Sequence, residues 1–371
     1  MKFRCEREAL AEALSTAGRA ATGRSAALPV LTGLRLEVTG DRLQVTGSDL
    51  DLTIQASIEV GGDTDGGAVV PARLVADIVR SLGVGKVDVV ATADEVSISN
   101  GRSHFSVRPL SFDDYPRVAQ STGASVTLPA AEFGEALRQV VRATSSDEQR
   151  QVLTGVMMTA EGDGLRMVAT DSYRLAVRDL AGQNVLAAGQ KVLVPGRALS
   201  ELQRLVGSGD SITMRLGERD ASFEVGNVRL TTRLIEGEFP EYKRLIPATQ
   251  PNALTVEREG LLEAIRRVKI LAKESSTPVR LQMSGDTLRI TAITQDVGNA
   301  SEELDAAYSG DDLVVAFNPD FLMAGIEACL GDSVVLSTTD GARPAVLRGT
   351  GEKNGTDYLY LLMPVRVPEN K

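Results

Sequence analysis

The sequence predicts an α+β protein built from three copies of one unit, each with two helices packed on antiparallel sheets. Three recurring markers predict it. The first is a hairpin, in which an apolar strand pattern runs into a Gly-Asp turn and out again. It occurs from Leu34 to Val45 around Gly40-Asp41, from Val156 to Met167 around Gly162-Asp163, and from Val279 to Ile290 around Gly285-Asp286. The second is a helix opened by proline, with Pro71, Pro195 and Pro319 each beginning an amphipathic stretch that stops at Gly83, Gly207 and Gly331. The third is an earlier helix in each copy, over Glu6 to Leu14, Ala130 to Val141 and Glu257 to Val268.

Each element has a physical basis. In the hairpins alternate residues are apolar, as a half-buried strand requires, and Leu43, Leu165 and Leu288 fall in matching places, as do Val45, Met167 and Ile290. Proline at a helix start gives up a donor that the first turn does not use, and glycine just past the end tolerates a left-handed cap. Between them Ile78 and Leu82, Leu202 and Val206, and Ile326 and Leu330 keep helical spacing. In the earlier helices Leu10, Phe133 and Leu261 align. The hairpins are separated by 122 and 123 residues and the prolines by 124 in both intervals. Such constancy defines a unit of about 120 residues, an ordinary domain size. The expected domains are 1–120, 126–248 and 254–371, with linkers at 119–125 and 247–253 that are rich in turn and breaker residues.

Composition narrows the class. With 43% hydrophobic and 24% charged residues, the 371-residue chain has ample material for a core. The N-terminus lacks the apolar run of a signal peptide and no later stretch is long enough to cross a bilayer, so a cytoplasmic protein with no membrane partner is expected. Cys5 and Cys329 fit neither a disulfide framework nor a zinc spacing and read as buried free thiols. The net charge of -10 argues against nucleic acid unless the bases gather on one surface.

Five strings, taken in order, resemble the bacterial β sliding clamp family over essentially the whole chain. They are Val70-Pro71-Ala72-Arg73, Gly101-Arg102-Ser103-His104-Phe105, Ala169-Thr170-Asp171-Ser172-Tyr173-Arg174-Leu175, Gly237-Glu238-Phe239-Pro240-Glu241-Tyr242 and Tyr360-Leu361-Leu362-Met363-Pro364-Val365-Arg366. The resemblance implies a head-to-tail homodimer whose six similar domains form a ring, with helices lining the hole. The same resemblance implies a processivity factor that slides on duplex DNA without sequence specificity. The helices carry Arg7, Arg73, Arg80, Arg138, Arg142, Arg197, Arg204, Arg266, Arg267 and Lys269, interspersed with Glu12, Glu132, Glu135 and Glu263. For one isolated helix, such cations usually just solvate an exposed face. The resemblance marks Arg24, Arg73, Arg150 and Arg197 as DNA contacts. Weak phosphate contacts suit a protein that must slide, and no helix-turn-helix, zinc-finger or base-stacking signature adds sequence readout.

The resemblance also implies a peptide-docking pocket between the second and third units. Leu153, Thr170, Arg174, Leu175, Pro240, Arg244 and Leu245 match one part of it, and Asn318, Phe321, Val346, Met363, Pro364 and Arg366 the other. The replicative DNA polymerase, clamp loader, mismatch-repair and ligase-type proteins would share it through tails carrying a Gln followed by Leu and Phe anchors. The bland alternative makes Leu153, Leu175 and Met363 ordinary core residues. Ser172-Tyr173 departs from the small-residue-then-His form common in the family, and Pro368-Glu369-Asn370-Lys371 extends past its usual end. At the expected dimer interface Ile270 and Leu271 pack near the partner's Leu74, while Arg102 and His104 face Glu302 and Glu303. The competing expectation buries Ile270 and Leu271 within their own unit.

Catalytic readings fare poorly, and no cofactor or metal is expected. His104 is the single histidine, which excludes paired-His metal sites. Gly83-Val84-Gly85-Lys86 lacks the spacing of a phosphate loop and reads as a helix cap plus turn. Asp63-Thr64-Asp65-Gly66-Gly67 has Leu74 where a calcium loop needs its closing Glu, and reads as a hairpin tip. Two other classes stand beside the clamp: a duplicated protein-interaction scaffold without DNA encirclement, and a carboxylate hydrolase using Asp171 with Glu241.

Overall fold

The computed structural model describes residues 1–21, 28–116, 123, 125–183, 185–272, 277–294, 297–351 and 358–366. Packing divides the chain into two compact units, residues 1–131 with 198–234 and residues 132–197 with 235–371. This division does not follow the three expected domains. It passes through the second repeat, because strands of that repeat pair with strands of the repeat before it and of the repeat after it.

The first repeat contains β1 (Lys2–Glu6), α1 (Arg7–Gly18), β2 (Gly33–Thr39), β3 (Arg42–Ser48), β4 (Leu52–Glu59), β5 (Gly61–Thr64), β6 (Gly66–Pro71), α2 (Ala72–Ser81), β7 (Lys86–Ala91), β8 (Val96–Asn100) and β9 (Ser103–Val107). The second contains β10 (Ser125–Pro129), α3 (Ala130–Val140), β11 (Gly155–Glu161), β12 (Gly164–Thr170), β13 (Arg174–Leu180), β14 (Lys191–Pro195), α4 (Gly196–Leu205), β15 (Ser211–Leu216), β16 (Asp220–Val225) and β17 (Val228–Arg233). The third contains β18 (Asn252–Glu257), α5 (Arg258–Lys269), β19 (Val279–Ser284), β20 (Thr287–Thr294), β21 (Gly298–Asp305), β22 (Ala307–Ser309), β23 (Leu313–Phe317), α6 (Pro319–Ala328), β24 (Ser333–Thr338), β25 (Ala345–Gly349) and β26 (Tyr358–Leu362).

The three expected hairpins are β2–β3, β11–β12 and β19–β20. Gly40, Gly162 and Gly285 have φ of +56°, +60° and +56°, the conformation that a two-residue turn opening on glycine requires. The matched residues Leu43, Leu165 and Leu288, and Val45, Met167 and Ile290, are all buried. So are Leu10, Phe133 and Leu261 on the earlier helices. Around Phe3, Leu10, Leu14, Leu36, Val75, Val79 and Val89, the core of the first repeat is filled jointly from strands and both helices.

Two details of the helix ends differ from expectation. The chain leaves α2 and α6 through extended residues, Leu82 and Cys329, before it reaches the glycines. Among Gly83, Gly207 and Gly331, a positive φ (+93°) occurs at Gly331, after that exit. The glycines therefore do not act as left-handed caps. The Asp63-to-Gly67 stretch is no hairpin tip either. Of the strands it joins, β5 pairs with β1 in one sheet and β6 with β2 in another, so it is a crossing between sheets. Both cysteines are free and buried, and burial pushes the Cys5 thiol up to about 12.

Among the described residues the strands form sheets in the orders β5-β1-β7-β8-β9, β10-β15-β16-β17-β4-β3-β2-β6, β14-β11-β12-β13-β26-β25-β24-β18-β22 and β21-β20-β19-β23. The two large sheets each join half of one repeat to half of the next. Their seams are antiparallel and equivalent: β17 meets β4 with Val228 opposite Ala56 and Thr232 opposite Leu52, and β26 meets β13 with Tyr358 opposite Arg178 and Leu362 opposite Arg174. Just past β9, β17 and β26 the chain makes one further repeated bond. Leu110, Ile235 and Val365 donate their N–H groups to the carbonyls of Val69, Leu193 and Ala316 at 2.7, 2.9 and 2.8 Å. In the first two repeats this bond starts a strap. One lays Leu110, Phe112 and Tyr115 over Val30, Leu31 and Val69, and the other lays Ile235, Phe239 and Tyr242 over the large sheet beneath.

In the second unit α6 is tied down at its C-terminal end by side chains of α3 and the turn that follows it. Arg138 donates to the carbonyls of Glu327 and Ala328 and Gln139 to Ala328, which satisfies orphan carbonyls of the last turn, and Arg142 donates to the carbonyl of Ala324 one turn earlier. Arg138 and Arg142 are thus framework groups rather than free members of a basic face.

In the first unit, helix α1 ends close against β3. A Cβ on Gly47 would lie 2.0 Å from the carbonyl oxygen of Ala17, backbone that cannot step aside cheaply. Gly47→Ala is expected to cost about 1–3 kcal/mol, the usual range for overpacking. The urea-unfolding midpoint measures this, and an unchanged midpoint would show that the helix end yields freely.

Candidate functional site

The site expected for peptides lies wholly within the second unit and is organised by the turn between β12 and β13. Here Thr170 Oγ1 accepts the N–H of Ser172 at 3.2 Å and donates to the carbonyl of Arg174 at 2.7 Å. Asp171 Oδ1 accepts the N–H groups of Tyr173 and Arg174 at 2.9 and 3.0 Å. The turn forces Ser172 to φ +80°, a strained value for a residue with a Cβ. The first repeat builds the same turn between β3 and β4. Asp49 Oδ1 accepts from Asp51 and Leu52, Ser48 Oγ from Leu50, and Leu50 also sits at φ +80°. An Asp preceded by Ser or Thr therefore programmes this connection, whereas the residue at the tip is free to vary. It is Asp51 in one repeat and Tyr173 in the other.

Arg174 leaves the turn towards the start of α6. Its Nε donates to Asp171 Oδ2 at 2.9 Å, and its guanidinium lies 4.4 Å from the centroid of the Phe321 ring, within cation–π range. Phe321 is held in turn by its own backbone. The side chain of Asn318 caps α6 by accepting from Asp320 and Phe321, and the carbonyl of Phe321 accepts the Tyr360 hydroxyl at 2.9 Å. Burial pushes the Tyr360 phenol up to about 12, with the Arg174 charge opposing that shift. The Tyr173 ring is 59% exposed and stacks on Phe321 with centroids 6.3 Å apart and planes at 27°. From the end of β26, Met363 donates its N–H to the carbonyl of Tyr173 at 2.9 Å and keeps its side chain partly open to solvent.

The expected pocket residues separate into four groups. Tyr173, the departure from the family pattern at the pocket edge, joins Arg174, Asn318, Phe321 and Met363 in a single constellation. Pro240, Arg244 and Leu245 lie on the strap, at and just before the short 3-10 turn Tyr242–Leu245, and all three are exposed. Pro364 is half-buried and Arg366 exposed beyond β26. By contrast Leu175 and Val346 are each 1% exposed and belong to the closed core beneath the strap with Leu361, and Leu153 and Thr170 are also buried. These four shape the floor without offering surface. The bland alternative thus describes Leu153 and Leu175 correctly and Met363 incorrectly.

At the first seam the positions equivalent to Leu175, Val177, Leu359 and Leu361 are Thr53, Gln55, Arg229 and Thr231, as the paired registers require. The apolar floor is therefore present at the second seam and replaced by polar groups at the first.

The other expected residues are more scattered. Arg24 lies outside the described residues. Arg73 and Arg197 are exposed near the starts of α2 and α4. Arg150 is anchored beside the turn at Asp171, donating to Asp147 at 2.9 Å and to Ser172 Oγ at 3.1 Å. Leu74 and Ile270 are 51% and 64% exposed, whereas Leu271 is half-buried. Arg102 and His104 are exposed at the β8–β9 turn and on β9. Glu302 is bound by Arg267, which holds its carboxyl below the usual range, and Glu303 by Arg289 at 3.2 Å. The pairing of Asp171 with Arg174 and its turn leaves it unsuited to act with Glu241 as a catalytic pair, and no metal-binding group of carboxylates, thiols or imidazoles occurs among the described residues. No helix among them is long and apolar enough to cross a membrane.

Repeated helix-and-sheet units joined by shared sheets carry this exposed group of aromatic and apolar side chains, an arrangement that suits binding. Family models agree on the class: the N-terminal, central and C-terminal domains of the DNA polymerase III beta subunit match residues 1–119, 127–241 and 243–366. The beta sliding clamp of Streptomyces coelicolor is 35% identical over 99% of this chain and all of its own, and that of Escherichia coli 31% identical over the same shares. The crystal structure of the Bartonella birtlesii sliding clamp bound to griselimycin superposes with a TM-score of 0.92 at 29% identity, covering 99% of this chain and 100% of that one. The chain belongs to the DNA polymerase III beta subunit family, the bacterial sliding clamps, and its function is that of a replication processivity factor.

Burial separates two substitutions that the sequence treats alike. Leu175→Ala is expected to lower unfolding free energy by about 2–5 kcal/mol, because it opens a cavity in closed core. Met363→Ala should change stability by less than about 1 kcal/mol while weakening peptide binding by about 2 kcal/mol. Denaturant melts and peptide titrations on both variants check this, and equal stability losses would place Met363 in the core.

Proposed function

We propose that two copies of this chain close head to tail into a ring that encircles duplex DNA without sequence specificity. The ring tethers the replicative polymerase, clamp loader, mismatch-repair and ligase-type proteins, which dock short hydrophobic peptides on the exposed surface around Phe321, Tyr173 and Met363. On this reading the domains are the three repeats, 1–120, 126–248 and 254–371, and the protein works in the cytoplasm by binding alone, without catalysis, metal or cofactor.

The observation that carries the reading is an unfinished third seam. By position in the hairpins, β9 is equivalent to β17 and β26, and β21 is equivalent to β4 and β13. Those four strands complete two seams, whereas β9 and β21 are sheet edges. Exposed edges invite pairing. Carried over, the internal antiparallel register sets Ser103 opposite Glu302 of the partner subunit, His104 opposite Ser301 of the partner subunit and Phe105 opposite Ala300 of the partner subunit. Exposed Leu74 and Ile270 supply apolar surface for the same interface. A first-repeat edge meeting a third-repeat edge closes after a two-fold operation, so no filament grows.

Retention on DNA tests the ring. The protein should stay on nicked circular DNA and slip from linear DNA with free ends. Ile270→Glu with Leu271→Ala should sediment as a folded monomer that binds peptide but leaves circles. A dimer with unaltered retention would remove the interface.

Sliding on DNA calls for Arg24, Arg73, Arg150 and Arg197 to touch phosphates weakly. Replacing Arg73 and Arg197 by Glu should reduce loading without unfolding, and should flatten the log-log salt dependence of association by about one unit for each phosphate no longer neutralised. Unchanged loading and slope would take these residues off the DNA surface.

A further inference from the structure

The tip of the β12–β13 turn holds an aromatic ring in the open, in a setting that fixes its backbone from both sides. Asp171 accepts the N–H of Tyr173, the carbonyl of Tyr173 accepts the N–H of Met363, and the preceding Ser172 is locked at φ +80° with its hydroxyl bonded by Arg150. The equivalent tip in the first repeat carries Asp51 on the same turn, so the turn itself does not require an aromatic. The Tyr173 ring nevertheless stacks on Phe321, which is fixed by its helix cap and by the Tyr360 hydroxyl, and whose ring also carries the Arg174 guanidinium. A large side chain that stays 59% exposed while its backbone and its stacking partner are both immobilised has the properties of a binding residue: rigid area presented at small entropic cost.

Resting on the docking reading above, we infer that Tyr173 is a specificity-determining residue that selects planar, aromatic anchors in the docked peptide over aliphatic anchors of equal size. The Tyr173 and Phe321 rings form a two-ring wall. A planar side chain adds to that wall by offset or edge-to-face stacking, whereas a saturated ring of the same volume gains burial alone.

The test uses full-length protein and two short peptides with Gln and Leu anchors, one ending in Phe and one in cyclohexylalanine. The parent protein should bind the Phe peptide about three- to tenfold more tightly, the factor that an aromatic pair contributes. Tyr173→Ala should bring that ratio to about one by weakening the Phe peptide more than the cyclohexylalanine peptide, which loses burial alone, and Tyr173→Phe should preserve it. Unchanged preference in Tyr173→Ala, or no preference in the parent, overturns the inference while leaving the docking site intact. Failure of the parent to bind either peptide, or binding indifferent to Met363→Ala, overturns the docking reading and the inference with it. The exposure of Tyr173 keeps folding out of the comparison, and a denaturant melt of each variant verifies that.

Discussion

Antiparallel pairing between strands of different repeats is the constraint on which the rest of this structure depends. A half-sheet of four or five strands leaves an edge with unmet backbone donors and acceptors, and such an edge must be paired or protected. The chain meets that demand twice internally, joining β4 to β17 and β13 to β26 in one repeated register. The packing units, the positions of the straps and the placement of the exposed aromatic surface all follow from those two junctions. The second seam brings the turn at Asp171 and the end of β26 side by side, which is why residues far apart in the chain meet at Phe321 and Tyr173.

Around that junction, polar groups do local work and leave an apolar surface. Thr170 and Asp171 are consumed in fixing a turn, Asn318 in capping a helix, and Arg174 in neutralising Asp171 while covering one aromatic ring. Once these demands are satisfied, the large apolar side chains left facing solvent are Tyr173, Met363 and Leu245. Buried polar groups with complete partners make a rigid frame, and a rigid frame lets exposed apolar groups bind with little ordering cost.

Much of this was legible in the sequence. The Gly-Asp turns, the alternating apolar residues and the proline-started helices define the repeats because each depends on neighbours only a few residues away. What escaped was non-local. Nothing in the alternation of β4 or β13 names its partner, so the seams, and with them the division through the second repeat, were out of reach. The Asp63-to-Gly67 segment misled for the same reason, since a hairpin and a crossing between sheets use the same glycines. Leu175 and Met363 carry equal weight as pocket residues in the sequence, and only the strap, folding back from Ile235, decides that one is sealed and the other open. The family resemblance supplied the site's membership, while the repeated turn at Leu50 and Ser172 is written in Ser48-Asp49 and Thr170-Asp171 and can be found from sequence by aligning the copies.

The polar replacements at Thr53, Gln55, Arg229 and Thr231 fix the valence of the molecule. Three copies of one unit could have carried an adhesive floor at every junction, and a single chain would then have held several clients at once. On the proposed docking function, confining the floor to Leu175, Val177, Leu359 and Leu361 would limit each chain to one. Occupancy then becomes a matter of exchange: a newcomer gains a place on a given chain when the resident leaves, and the order of events on that chain is governed by residence times and local supply.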